Sequence, residues 1–161
     1  MGKFVSEKIK MKSVARLAAV QSVYMIEIGQ DNIDQVIQDF VDGNIGRFVI
    51  DENAATMEEE LKEISEIDRA YFITLVRGVA GKKEDLERSL EVYLNEQWPL
   101  SRMDETLKAL LLCAVYELVY NRDIDTKVLI QEYVDLAYAF FSKNEPKMVN
   151  ALLDQVAKAV R

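Results

Sequence analysis

The apolar positions of this chain recur every three or four residues, and the recurrence is clearest toward the end. Leu107, Leu110, Leu111, Ala114, Val115 and Leu118 lie at the spacing of one helix face. Val149, Leu152, Leu153, Val156, Ala157 and Val160 repeat that spacing, and a broader stripe of Leu129, Ile130, Tyr133, Val134, Ala137, Tyr138 and Phe141 lies between them. The breaks are explicit. Residues Asn121 to Asp125 are too polar to pack, and Asp125 or Thr126 can cap the helix that follows. Pro146 suits a first helical turn, where its missing N–H costs nothing.

The same periodicity predicts four earlier helices. Val14, Leu17, Ala18, Gln21, Tyr24 and Ile28 mark the first, with Gly29 as its C-terminal stop. Ile33, Val36, Ile37 and Phe40 give a short second helix ended by Asp42, Gly43 and Asn44. Phe72, Leu75, Val76 and Val79 define a third; Leu86, Leu90, Tyr93 and Leu94 define a fourth. Ser101 and Asp104 have capping-box spacing before the fifth. The one β-leaning run, Gly46 to Ile50, is too short to build a sheet. The expected class is all-α, with about seven helices.

Composition and charge narrow the function. A chain of 161 residues that is 50% hydrophobic, with six Gly and two Pro, suits a helical domain with a real core. Cys113 is the single cysteine, so it forms no internal disulfide and reads as a small core hydrophobe. There is no histidine, no phosphate-cradling Gly-rich loop and no Cys pair. Catalytic residues, metal ligands and cofactors are therefore not expected, and the chain reads as no enzyme. No apolar run is long enough for a membrane span, so a cytoplasmic protein is expected.

The net charge of −8 argues at first against nucleic acid. The distribution changes that. Residues 1–16 hold Lys3, Lys8, Lys10, Lys12 and Arg16 against Glu7, a local balance of +4 that leaves −12 for the rest. Exposed charges act over about 8–10 Å at physiological salt, so a basic end can meet phosphate while a distant acidic face is barely felt. The opposite extreme is the segment from Asp51 to Asp68, where eight carboxylates face Lys62; it reads as a solvated loop and exposed turn.

Three motifs in order carry a resemblance. Ala15, Arg16, Ala19, Val20, Gln21 and Tyr24 form the first, and Phe72, Leu75, Val76, Gly78 and Val79 the second. The third begins with Tyr116, Glu117 and Leu118. It continues through Lys127, Val128, Ile130, Glu132 and Val134, and ends in Lys147, Val149, Asn150, Leu153 and Asp154. Together they resemble the NusB family of transcription antitermination factors over roughly residues 13 to 157. The resemblance implies one NusB-like unit over residues 1–161, made of two packed helical-bundle halves. A flexible basic N-terminal arm of about residues 1–12 precedes them. Trp98-Pro99 would link the halves, the first ending near 97 and the second beginning near 98, with Trp98 as a packing anchor.

The family likeness also implies partners. It points to a heterodimer with the ribosomal protein NusE that binds a single-stranded boxA element of nascent ribosomal RNA, within an RNA polymerase complex holding other Nus factors. Lys8, Lys10, Lys12 and Arg16 of the arm and Lys147 and Asn150 of the last helix would contact RNA; Tyr24 and Tyr93 would face the protein partner. Met148 stands where the family often has an aromatic residue. The thin arm implies weak RNA binding by the chain alone. Self-association in the absence of the partner is left open. Two other readings stay open: a helical adaptor with little RNA binding, and the docking module of a ribosomal RNA methyltransferase, which needs a catalytic domain after residue 161.

Overall fold

The computed structural model describes the backbone of residues 2–42 and 69–161, with side chains from Met11 onward. The β-leaning run at 46–50, the acidic segment 51–68 and Gly43 and Asn44 lie outside the described residues, as do the side chains of Lys8 and Lys10. Seven helices and no strand occur among the described residues, as the periodicity predicts. They are α1 (Gly2–Gly29), α2 (Ile33–Val41), α3 (residues 69–81), α4 (Lys83–Tyr93), α5 (Glu105–Tyr120), α6 (Thr126–Phe140) and α7 (Asn144–Val160). The chain forms two compact units, divided between Arg77 and Gly78 within α3.

In the first unit, α1 is helical from Gly2, so the basic stretch set apart as an arm is backbone continuous with the helix. This follows from local propensity, since residues 3–12 contain no glycine or proline to interrupt a helix. The buried face takes in Val14, Ala18 and Gln21, which the periodicity marked, but it is wider than that stripe and does not reach its far end. Ala15, Ala18, Ala19, Val20, Ser22 and Val23 are buried, whereas Tyr24 and Ile28 are 37% and 53% exposed. Small side chains turn this face inward because they let another helix approach closely. The chain reverses one residue past Gly29, at Gln30 with φ 52°, where the left-handed turn that ends a helix was expected nearer the glycine. Asn32 then caps α2, its side chain accepting from the N–H groups of Asp34 and Gln35 at 2.9 and 3.3 Å. Phe40 of α2 packs on Phe72 of α3 with ring centroids 5.6 Å apart.

In the second unit, α5 is wrapped by α4, α6 and α7. Its apolar stripe therefore extends right round the helix: Ala109, Leu112 and Cys113, off the expected face, are as buried as Leu110 and Leu111. Each such leucine contributes about 2 kcal/mol of burial. α4 buries Leu86 and Leu90 within this unit, which runs from Gly78 to Arg161. Asp104, and not Ser101, caps α5, accepting from the N–H groups of Thr106 and Leu107; Leu100–Arg102 is taken up by a 3-10 turn. Asp125 caps α6 through the N–H of Lys127, and Pro146 lies buried in the first turn of α7, both as expected. Tyr138, expected in the α6 stripe, is 58% exposed.

Two polar devices close this unit. The Glu117 carboxylate, 1% exposed, accepts from the Tyr133 hydroxyl and from Asn121 Nδ2, so its burial is compensated. The Arg161 guanidinium donates to the carbonyls of Glu117, Leu118, Asn121 and Ile124, tying the end of α7 to the end of α5 and the loop that follows it.

Candidate RNA and partner surfaces

Of the four basic residues expected to meet RNA near the N-terminus, the two with described side chains part company. Lys12 is exposed, its Nζ 5.7 Å from the centre of the Tyr71 ring. Arg16, one turn later on α1, is 1% exposed. Its guanidinium lies 5.4 Å from the same ring centre and donates to the Tyr71 hydroxyl at 2.7 Å. The guanidinium expected among the RNA contacts is thus enclosed and paired within the first unit. The sequence hid this because an arginine near a basic terminus looks solvent-facing until the helix it sits on is packed. Tyr24, two turns beyond Arg16, is accessible enough to meet a partner.

In the second unit the end of α4, the loop after it and α7 enclose a cleft of about 500 Å³. The loop side contributes Tyr93, Leu94, Asn95, Gln97 and Trp98; α7 contributes Asn144, Lys147, Met148, Ala151, Leu152 and Gln155. Tyr93, expected to face a protein, and Lys147, expected to face RNA, thus share one wall-lined space. Asn150 is exposed on α7 but does not line the cleft. Trp98, expected to be an anchor, is half-buried and lines it instead.

The composition of the cleft sets it apart from the chain around it. Among the described residues Lys147 is its one charged lining residue, four primary amides supply donors and acceptors, and no carboxylate lines it, although the chain carries 28 Asp and Glu. Pro146 and the absence of a capping side chain leave the first turn of α7 beside it without a side-chain acceptor at its N–H groups. Such a space can take a planar, neutral, hydrogen-bonding group and pair one negative charge. The loop residues Asn95 and Gln97 were missed in the sequence because only their position opposite α7 gives them a role; the signal available was a lone tryptophan after a polar run.

Among the described residues no group of three His, Cys, Asp or Glu could hold a metal ion, and no helix is long and apolar enough to cross a membrane. Burial, and then the Glu117 carboxylate, push the Cys113 thiol well above its ordinary value of 9.0.

Residues 13–158 match the NusB family. A protein of Rhodospirillum rubrum named transcription antitermination protein NusB is 39% identical over 155 residues, covering 92% of this chain and 84% of the relative. A protein of Maricaulis maris with the same name is 34% identical, covering 96% and 90%. The solved structure of T. maritima NusB superposes with a TM-score of 0.71 at 24% identity, covering 91% of this chain and 90% of that one, a likeness of fold. The helical order, the three motifs and matches over nearly the whole length agree: this chain belongs to the NusB family.

Proposed function

We propose that this protein is a non-enzymatic transcription antitermination factor that binds a boxA-type single-stranded element of nascent ribosomal RNA as a heterodimer with NusE. Relatives that share over a third of its residues carry the antitermination name. The observation that carries the RNA part is the cleft of the second unit, whose aromatics, amides and lone Lys147 suit a base and its phosphate within an acidic chain. Lys12, and Lys8 and Lys10 ahead of it, would add phosphate contacts that position the RNA without reading it. Tyr24 would face NusE in the first unit. The assembly would act with RNA polymerase and other Nus factors in the cytoplasm.

The withdrawal of Arg16 from solvent thins the basic end further and favours weak binding by the chain alone. Two modest phosphate-binding surfaces joined by a protein interface bind one RNA more tightly than either does separately. RNA affinity measured with and without NusE tests this: a rise of about tenfold or more is expected, roughly 1.4 kcal/mol of coupling, and RNA should tighten NusE binding by the same factor. The same burial of Arg16 also favours a second reading, an adaptor that kept its partner surface and lost RNA. An unchanged RNA affinity with the heterodimer formed would select the adaptor.

A further inference from the structure

We infer that Tyr71 is a positioning residue for RNA: its ring orders the exposed Lys12 ammonium for a phosphate, while its hydroxyl is tied into the core. This rests on the RNA reading above and adds to it a residue of α3 that acts only through Lys12. One phenol thus serves two cations that stand one turn apart on α1. Arg16, buried, donates to the Tyr71 hydroxyl at 2.7 Å and lies 5.4 Å from the ring centre. Lys12, exposed, places its Nζ 5.7 Å from the same centre and forms no ion pair among the described residues.

The two contacts differ in what they fix. A buried guanidinium bonded to the phenol oxygen makes a charge-assisted hydrogen bond, which anchors the far end of the ring. Tyr71 is half-buried at the start of α3, so the ring cannot swing out without breaking that bond. An exposed lysine is otherwise spread over many rotamers, and a phosphate must gather them as it binds. The face of a ring already anchored draws the ammonium over itself and narrows that spread. The N–H groups of the ammonium that do not point at the ring remain free to donate to an anion. A carboxylate in the same place would order Lys12 and neutralise it. An aromatic ring orders the cation and leaves its charge intact, which a phosphate contact needs in a chain of net charge −8.

Substitution separates the ring from its hydroxyl. The full chain, alone and with NusE, is titrated with boxA-type single-stranded RNA over a range of salt, as Tyr71→Leu, Tyr71→Phe, Lys12→Ala and the Lys12→Ala/Tyr71→Leu double variant. Denaturant unfolding is measured for each. Tyr71→Leu should weaken RNA binding about threefold, the size of an exposed cation–ring contact, and flatten the salt dependence toward that of Lys12→Ala. Tyr71→Phe keeps the ring and should rescue both, although it too loses stability with the hydroxyl. In the double variant, Tyr71→Leu should add no further loss to that of Lys12→Ala. A merely structural Tyr71 would make the Phe and Leu variants alike in RNA binding, or the two losses additive. Either result overturns the inference and leaves the RNA reading standing. The native chain gives a readout free of any variant: the Lys12 methylene protons beside the ammonium should be shifted upfield in NMR by the ring. Unshifted protons overturn the inference. No RNA binding even with NusE overturns the inference together with the RNA reading. Loss of NusE binding and not of RNA binding in Lys12→Ala assigns the ammonium to a protein carboxylate, and overturns the inference.

Discussion

Arg16 and Tyr71 form a buried pair: the guanidinium donates to the phenol oxygen at 2.7 Å and lies against the same ring. The pair makes a residue of the basic N-terminal stretch part of the core of the first unit. It also separates Arg16 from Lys12, which touches the same ring from an exposed position.

That separation predicts opposite outcomes for two alanine variants. Arg16→Ala removes a buried charge-assisted hydrogen bond and its packing, and should cost about 2 kcal/mol of stability in denaturant unfolding. The salt dependence of RNA binding should be unchanged in the folded fraction. Lys12→Ala should leave stability alone and flatten the salt dependence by about one phosphate contact. Equal effects of the two variants on stability would contradict the burial of Arg16.

Gly78 tests the fit of the second unit. A Cβ there would strike the Tyr116 ring, which is itself stacked on Tyr120 with centroids 4.9 Å apart and cannot simply swing away. Alanine gains up to about 1 kcal/mol over glycine inside a helix, while overpacking costs about 1–3 kcal/mol. Gly78→Ala should therefore destabilise. In a Tyr116→Ala background the clash is gone, and the same substitution should become neutral or stabilising. A double-mutant cycle measures that reversal, and additive effects would refute the steric account.

The environment of Cys113 predicts its chemistry. Because burial and Glu117 hold the proton on sulfur, thiol reagents should modify Cys113 only as fast as the protein unfolds. The folded state binds this proton more tightly than the unfolded chain. Its contribution to stability is thus intact below the ordinary thiol value of 9.0 and lost as pH rises above it. Unfolding measured between neutral and alkaline pH should show a shallower loss for Cys113→Ala than for the native chain. Rapid labelling of the folded protein at neutral pH would contradict this.

Tyr24, exposed on α1, gives the partner test. Tyr24→Asp should weaken the NusE complex without altering helix content, since its side chain is not part of the buried face. RNA binding should fall mainly when NusE is present. Calorimetric titration of the variant with NusE checks the first expectation, and an unchanged affinity would remove Tyr24 from the interface.

What the sequence determined by itself was the helices. Period and polar breaks located the three from Leu107 to Val160, because a helix face needs apolar residues every three or four positions whatever it packs against. The Asp125 cap was legible for a similar reason: its bonds reach only two or three residues along the chain. Tertiary structure alone decided which faces are buried and which groups meet. Three neighbours widened the stripe of α5 until most of the helix between Leu107 and Leu118 is buried, and the company of Tyr71 drew Arg16 inward. The cleft is the strongest case, since Asn95 and Gln155 lie 60 residues apart in the chain and no local pattern records their approach. Periodicity reports the surface a helix can bury; only the packed chain sets which neighbour covers it, and hence which polar side chains are left to meet a ligand.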